Sequence, residues 1–225
     1  MKRIKAFLVI VALFLCATVS GHDFYANGIY YSITSSEDLT VQVSFQGSKY
    51  SEYDNEYSGD VVIPTKVTYD NIEYSVTSIG ENAFAYCNIT SVSIPNSVTS
   101  ISEYAFRHCT GLKNISIPNT VTVIGRNAFE YCSSLTSVEI PNSVNVLDSN
   151  TFYFCSGLTN VKIPNSVVSI GRSAFDHCSS LTNIDIPQSV TSIGEEAFYY
   201  CTELKTVTIP NSVTNMEDGV FAYCI

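Results

Sequence analysis

The segment from Ile163 to Pro187 reads IPNSVVSIGRSAFDHCSSLTNIDIP, and close copies of it fill most of this 225-residue chain. Six of the seven prolines stand 23 residues apart, one in each copy: Pro95, Pro118, Pro141, Pro164, Pro187 and Pro210. A segment of this length cannot bury its own apolar side chains, so neighbouring copies must stack to form a continuous core. The period therefore predicts a solenoid, an architecture that commonly binds ligands along an extended surface.

Two further columns agree with this register. A phenylalanine recurs in every copy, and a cysteine follows it three residues later: Phe84, Phe106, Phe129, Phe152, Phe175, Phe198 and Phe221, with Cys87, Cys109, Cys132, Cys155, Cys178, Cys201 and Cys224. The seventh proline, Pro64, follows Val61 to Ile63 as the other prolines follow their strands. Its coil then carries an insertion of nine residues, Lys66 to Tyr74, and such changes are usual in the terminal coils of solenoids.

Each copy begins with a predicted strand. Leu112, Ile115 and Ile117 form an L-x-x-I-x-I pattern, and this alternation of β-branched residues indicates a short strand. Asn114 and Ser116 then lie on the opposite face. The proline ends the strand, and the Asn-Ser or Asn-Thr pair after it supplies turn residues.

The rest of the copy predicts a second strand and a helical turn. Val121 and Ile124 are expected to face inward from the second extended segment, which Gly125 ends. Ala128, Phe129 and Cys132 are spaced so that they share one side of a single helical turn. One repeat is thus strand, turn, strand and helical turn.

These residues resemble a known family. The pattern I-P-x-S-V-T-S-I-G-x-x-A-F-x-x-C-x-x-L is similar to the BspA-like leucine-rich repeat proteins of bacterial surfaces and some protists, and it covers Val61 to Ile225. The resemblance implies a curved leucine-rich repeat solenoid that uses its concave strand face for adhesion or ligand capture, with no catalytic residues to carry over. The segment from Asp23 to Tyr74 is similar to the strand-rich region before such repeats in Bacteroidetes proteins.

The expected layout has three parts. Residues 1–21 form a signal peptide, residues 22–60 a β-strand-rich N-terminal cap, and residues 61–225 a solenoid of about seven coils, the last incomplete. The leader has basic residues at its start, an apolar run from Ala6 to Leu15 and small residues up to Gly21, which is typical of export. The run is too short to span a membrane. Cys16 suggests lipoprotein processing, but the bulky Leu15 before it argues against a lipid anchor.

Charge excludes some partners. The leader holds three of the eleven Lys and Arg residues and none of the 21 Asp and Glu residues, so the exported chain has eight basic residues and a net charge of −13. Nucleic acid is not expected as a partner because phosphate binding needs clustered positive charge. The sequence contains no basic amphipathic segment of the kind that binds a membrane surface, so such binding is not expected.

The seven cysteines of the exported chain are expected to be buried free thiols. Stacked coils bring equivalent Cα atoms within disulfide range, but their side chains run parallel and do not converge. His108 and His177 share a column with Tyr86, Tyr131, Phe154, Tyr200 and Tyr223. A position that accepts Tyr, Phe or His is predicted to stack rings, so we expect neither a metal nor another cofactor.

Nothing in the sequence predicts catalysis. The chain has no G-x-S-x-G elbow, no glycine-rich phosphate loop and no H-E-x-x-H motif, and its carboxylates are scattered over the repeats. We therefore expect a non-catalytic protein that binds an extracellular protein or glycan. The alternatives are a structural spacer that displays another module and, less favoured by the residues, an enzyme.

Two places are candidates for binding. The first is the exposed side of the strands, with candidate residues Asn114, Ser116, Glu139, Asn160, Lys162, Asn183 and Asp185. Lys162 is expected between Glu139 and Asp185, either as mutual neutralisation on a solvated sheet or as part of a hydrogen-bonding trough. The second is the acidic tyrosine segment with Tyr50, Tyr53 and Tyr57, which either binds a sugar, a cation or a basic partner, or covers the end of the solenoid.

The last complete strand, Leu204 to Ile209, is followed only by a partial coil. Open sheet edges recruit further strands. We therefore expect either a longer natural protein or self-association through the C-terminal edge.

Overall fold

The structure, a computed structural model, describes residues 21–47 and 56–224. Within these ranges the chain forms eighteen strands and no helix. The strands are β1 (Phe24–Ala26), β2 (Ile29–Ser35), β3 (Thr40–Ser44), β4 (Ser58–Val62), β5 (Lys66–Tyr69), β6 (Ile72–Ile79), β7 (Asn88–Ser93), β8 (Ser100–Ile101), β9 (Asn114–Ser116), β10 (Val123–Ile124), β11 (Ser137–Glu139), β12 (Val146–Leu147), β13 (Asn160–Lys162), β14 (Ser169–Ile170), β15 (Asn183–Asp185), β16 (Ser192–Ile193), β17 (Thr206–Thr208) and β18 (Asn215–Met216).

The L-x-x-I-x-I segments form one side of the solenoid, which we call the strand face. Strands β4, β7, β9, β11 and β13 follow one another in a parallel five-stranded sheet, and β15 and β17 form a further parallel pair beside β13. In the register of β7 and β9, Val92 lies opposite Ile115 and Ser93 opposite Ser116. Equivalent residues therefore stand in columns across this face, as the repeat predicts.

The second extended segments form another side. Strands β6, β8 and β10 are parallel neighbours in a seven-stranded sheet, while β12, β14, β16 and β18 form a parallel four-stranded sheet. Val121 and Ile124 are both buried, so the predicted inward orientation of this segment is confirmed.

The core between these sides is a set of columns. The phenylalanine rings from Phe84 to Phe198 are fully buried. Consecutive rings stack with centroids 5.2–5.4 Å apart and nearly parallel planes. The leucine column Leu112, Leu135, Leu158 and Leu181 is also fully buried. Stacking of identical coils thus turns the repeat in sequence into a continuous apolar core.

The predicted helical turn around Phe129 does not form, and a ribbon of tight turns takes its place. The Cys132 amide donates to the carbonyl of Phe129, three residues back, at 3.1 Å, while the Phe129 amide donates to Thr151 of the next coil at 2.9 Å. Asn127 and Tyr131 have φ of +59° and +60°, which an α-helical turn excludes. The physical reason is that alternate amides must bond to the next coil, whereas a helix would use them internally.

The cap extends the second sheet. Strands β1, β2 and β3 are antiparallel, and β3 then pairs in parallel with β6. The insertion between Lys66 and Tyr74 becomes the hairpin of β5 and β6, whose turn residues Asp70 and Asn71 have φ of +49° and +62°. Two successive positive φ values are typical of the type I′ turn that suits the twist of a hairpin.

The junction between cap and solenoid is aromatic. Tyr57 is only 4% exposed, and its ring meets that of Phe84 edge-on at 4.9 Å, so it covers the first ring of the phenylalanine stack. Its hydroxyl donates to the carbonyl of Ser44 at 2.8 Å and accepts from the Tyr30 amide at 3.0 Å. Strand β4 also runs across residue 61, where the sequence predicts the start of the solenoid. Cap and solenoid therefore share one continuous core.

Gly21, the last residue of the predicted leader, is part of the cap in the structure. Its amide donates to the Gly47 carbonyl at 2.9 Å, and its own carbonyl accepts from the hydroxyls of Ser32 and Ser44. A Cβ at this position would lie 2.4 Å from the Gly47 oxygen, so only glycine fits without rearrangement. The rest of the leader, including Cys16, lies outside the described residues.

Candidate functional site

The strand face carries three columns of polar side chains. The first is Ser91, Asn114, Ser137, Asn160, Asn183 and Thr206, and the second is Ser93, Ser116, Glu139, Lys162, Asp185 and Thr208. The third, which our sequence interpretation missed, is Asn96, Asn119, Asn142, Asn165, Gln188 and Asn211. All are exposed except Ser91, which is half-buried. In the sequence, this column is marked by the residue that follows each proline. From the sequence alone, that residue is interpreted only as part of a turn.

A depression of about 410 Å³ lies in the middle of these columns. Its polar lining comes from all three columns: Asn114, Ser116, Asn119, Ser137, Glu139 and Asn142. Strands β9 and β11 position Asn114, Ser116, Ser137 and Glu139, and the turns after Pro118 and Pro141 position Asn119 and Asn142. The structure thus brings three of the predicted candidates together with an amide pair that the sequence had not assigned to the site.

The charged side chains in the second column are only partly paired. Lys162 Nζ donates to Glu139 Oε1, and both side chains remain about 70% exposed. Asp185 forms no ion pair with the part of the chain that the structure describes. An exposed pair of this kind contributes little to stability, about 0–1 kcal/mol. The pair orients the Glu139 carboxylate at the edge of the depression.

The strand face also has a carboxylate at its first strand. Asp60 accepts hydrogen bonds from the hydroxyls of Ser91 at 2.6 Å and Thr90 at 2.8 Å. These bonds favour the charged form and lower the pKa of Asp60. Both hydrogen bonds end on Oδ1, so they use about half of the acceptor sites of this carboxylate.

Of the three tyrosines predicted as a second site, the structure describes only Tyr57, because Tyr50 and Tyr53 lie outside the described residues. Tyr57 has a buried ring and a hydroxyl that is satisfied by the cap, so its side chain is not exposed to a ligand. Tyr57 therefore covers the end of the solenoid, because its side chain closes the end of the phenylalanine stack.

A second aromatic column runs along the outside of the turn ribbon, and we call it the outer ring ladder. It consists of Tyr86, His108, Tyr131, Phe154, His177, Tyr200 and Tyr223. From Tyr86 to Tyr200 neighbouring rings are stacked, with centroids 4.0–4.9 Å apart. The prediction that the two histidines occupy a ring-stacking position is confirmed.

Every residue of the outer ring ladder has a left-handed backbone. The φ values lie between +55° and +61°, a region in which aromatic residues are uncommon. The conformation costs about 1–2 kcal/mol per residue for residues other than glycine. An aromatic pair contributes roughly 0.5–1.5 kcal/mol, so stacking offsets much of this strain. The rings therefore stabilise the ribbon, and their faces are covered by one another.

Two buried carboxylates lie beside the outer ring ladder. Glu130 accepts from Asn127 Nδ2 at 3.0 Å and pairs with Arg107 Nε at 2.9 Å. Asp176 lies 2.5 Å from Nδ1 of His177. Burial raises the pKa of Asp176, and the hydrogen bond to His177 opposes that rise. Both carboxylates are held by partners on the same surface, and these pairs cannot be inferred from the residue types alone.

The cysteines form a hydrogen-bonded ladder of thiols. All seven described cysteines are free, and six are buried while Cys224 is half-buried. The thiol of each cysteine from Cys109 to Cys224 donates to the phenylalanine carbonyl of the preceding coil at 3.0–3.3 Å. Burial raises the pKa of Cys155 well above its usual value. The six buried thiols are inert core groups, and those from Cys109 to Cys201 also satisfy a phenylalanine carbonyl, a role beyond the apolar packing expected from sequence.

Neither a metal centre nor a membrane helix is evident in the described ranges. No three His, Cys, Asp or Glu side chains within residues 21–47 and 56–224 converge on a common point. The same residues contain no helix that could cross a membrane. The strand face carries the polar depression described above.

Stacked coils with a parallel strand face, a phenylalanine stack and a leucine column define a leucine-rich repeat solenoid. The family model described as the BspA type leucine rich repeat region matches six copies within residues 77–180 and 122–225. The chain belongs to this family. The resemblance drawn from the sequence, and the solenoid it implies, are thus confirmed. Comparison with curated proteins found no match.

Solved structures of bacterial leucine-rich repeat proteins share the fold. The protein from T. pallidum is 28% identical with a TM-score of 0.76, covering 90% of this chain and 89% of that one. A protein from Bacteroides ovatus is 28% identical, with a TM-score of 0.63, and covers 87% of this chain. A leucine-rich cell surface protein from Faecalibacterium prausnitzii is 31% identical, with a TM-score of 0.60, and covers 82%. The chain spans 56% and 54% of the length of the last two.

Proposed function

We propose that this protein is an exported, surface-exposed binding protein that captures an extracellular ligand on its strand face and catalyses no reaction. The observation that carries the proposal is the polar depression formed by Asn114, Ser116, Asn119, Ser137, Glu139 and Asn142. Four of these side chains project from strands whose other side is anchored in the core, and Asn119 and Asn142 project from the turns that follow. A ligand can therefore bind there without disturbing the fold.

The rigidity of the strand face supports this proposal. Val138 and Ile115, which alternate with the polar residues, are at most 9% exposed. Their packing fixes the backbone from which Ser137 and Glu139 project. Sites on strands hold their side chains more accurately than sites on loops, which lowers the entropy cost of binding.

The proposed location rests on the leader and on a relative. Residues 1–21 have the features of a secretory signal, and the similar protein from Faecalibacterium prausnitzii is described as a cell surface protein. An anionic chain of net charge −10 is also better suited to neutral or cationic partners than to nucleic acid. These properties favour a ligand outside the cell.

The experiment compares two sets of serine substitutions. One variant replaces Glu139, Lys162 and Asp185 on the strand face by serine. The matched control replaces the exposed ion pair of Arg126 and Glu103, which lies away from the strand face, by serine. Binding of the parent and both variants to arrays of glycans and immobilised matrix proteins is measured, with circular dichroism to verify that each is folded.

We expect the strand-face variant to lose or change binding while the control retains it. The charged groups point into solvent, so neither set of changes should alter the free energy of unfolding by more than about 0.5 kcal/mol. A ligand that binds the parent and the strand-face variant with equal affinity would contradict the proposal.

A further inference from the structure

The chemistry of the strand face limits the class of ligand that it can bind. Protein-binding hot spots are enriched in Trp, Tyr and Arg side chains that fill pockets on the partner. From Ser91 to Asn211 none of the eighteen residues in the three columns is aromatic, aliphatic or Arg. The face therefore lacks the side chains that give a protein interface most of its binding energy.

The same columns are rich in groups that bind hydroxyls. Nine of the eighteen side chains are amides, each with two donors and an acceptor, and six are Ser or Thr hydroxyls. The depression contains three amides, two hydroxyls and the Glu139 carboxylate. A chain of neighbouring hydroxyls, each both donor and acceptor, matches this mixture, whereas a lipid or an apolar peptide would leave it unpaired.

Charge on this face indicates a neutral ligand. The chain carries a net charge of −10, but the three columns hold only two carboxylates, Glu139 and Asp185, and one ammonium group, Lys162, while Asp60 adds one carboxylate beside Ser91 at the first strand. Glu139 is neutralised by Lys162. The depression therefore has no free positive group for a sulfated or phosphorylated ligand and no strong field for a basic one.

We infer, on the basis of the proposed function, that the ligand of the strand face is a neutral polyhydroxylated chain, that is, a neutral glycan. Its primary subsite is the depression, where Asn114, Asn119 and Asn142 supply the amides. From His108 to His177 each ring of the outer ring ladder is stacked on both faces and cannot pack against sugar rings, which leaves only the rings at the ends of the ladder for such a contact.

The test uses a panel of soluble neutral gluco-, manno- and galacto-oligosaccharides, with a sulfated glycan and a soluble matrix protein beside them. Binding to the purified chain is measured by calorimetry. The variant is Asn119→Ala with Asn142→Ala, and the control is Asn145→Ala, which removes an exposed amide outside the strand face. We expect at least one neutral oligosaccharide to bind the parent, and the double variant to weaken its binding about tenfold, because each lost hydrogen bond contributes a few-fold. The control should bind as the parent does.

The outcomes separate this inference from the proposed function. If no neutral oligosaccharide binds, or if the sulfated glycan binds more tightly, the inference is wrong. If only the matrix protein binds, and the strand-face variants abolish that binding, the proposed function stands and the glycan inference fails. If a neutral oligosaccharide binds the double variant as tightly as the parent, both the subsite and the inference are wrong.

Discussion

Replacing Phe129 by alanine should strongly destabilise the solenoid. The ring is fully buried and stacks between Phe106 at 5.2 Å and Phe152 at 5.4 Å. Emptying a buried aromatic site costs roughly 3–5 kcal/mol. Two stacked contacts, each contributing about 0.5–1.5 kcal/mol beyond burial, place Phe129→Ala in the upper half of that range. The free energy of unfolding is measured by urea titration followed by circular dichroism.

The control for this change is Asn160→Ala on the strand face, where the side chain is exposed and the expected cost is within about 0.5 kcal/mol. Phe129→Leu should lie between the two, because leucine refills part of the volume but cannot stack. Equal urea midpoints for Phe129→Ala and Asn160→Ala would refute the division into buried and exposed columns.

Three further predictions concern the thiols and the cap. Cys155→Ala should cost about 1–2 kcal/mol in urea unfolding, because it leaves a small cavity and removes the donor to the Phe129 carbonyl; an unchanged midpoint would mean that this hydrogen bond has no energetic role. In the folded protein, thiol reagents should modify the half-buried Cys224 first and the six buried cysteines only after unfolding, as followed by mass spectrometry; rapid modification of Cys132 would contradict the stacked core. Burial raises the pKa of Tyr31 from 10.0 to about 12, and a raised acid pKa means that folding favours the neutral form. This stability is present below pH 10 and is lost as pH rises toward 12, so Tyr31→Phe should reduce the alkaline loss of stability, and identical pH profiles for parent and variant would overturn the assignment.

The columns of the solenoid could be predicted from sequence because they depend only on counting. The phenylalanine and cysteine positions represented by Phe129 and Cys132 recur at a fixed period, and this repeat predicts the stacked core. The outward orientation of Asn114 and Ser116 follows from the alternation of side chains along a strand. The same argument predicted ring stacking at His108, since Tyr and Phe occupy its column. Such features are properties of the repeat and need no knowledge of the rest of the chain.

The turn ribbon could not be predicted in this way. The spacing of Ala128, Phe129 and Cys132 fits a helical turn, but the amide of Phe129 is needed by the next coil. That competition between local and neighbouring hydrogen bonds is invisible in a single repeat. It also explains how Tyr131 can hold a left-handed conformation that its residue type disfavours.

The cap was predicted only as strand-rich. Its clearest local signal, Asn27 followed by Gly28 between two apolar segments, is typical of a type I′ hairpin, and both residues have positive φ in the structure. The role of Tyr57 was left open by composition, because tyrosine suits either a binding surface or a covered core. Only the contact with Phe84 decides between them.

The candidate site was predicted in part. The columns with Asn114, Ser116 and Glu139 follow from strand alternation, but the turn amides Asn119 and Asn142 had been assigned to turn formation. Their contribution depends on how the chain bends after each proline, which brings the turn beside the strand face and closes the depression.

The central claim is that the strand face is the ligand-binding surface. The most direct test is nuclear magnetic resonance of the side-chain amides while a neutral oligosaccharide that binds in calorimetry is added to the labelled chain. The account predicts that the amide signals of Asn114, Asn119 and Asn142 shift first, while that of Asn145 stays in place. Shifts confined to Asn145 or to residues of the outer ring ladder, with the strand-face amides unchanged, would contradict it.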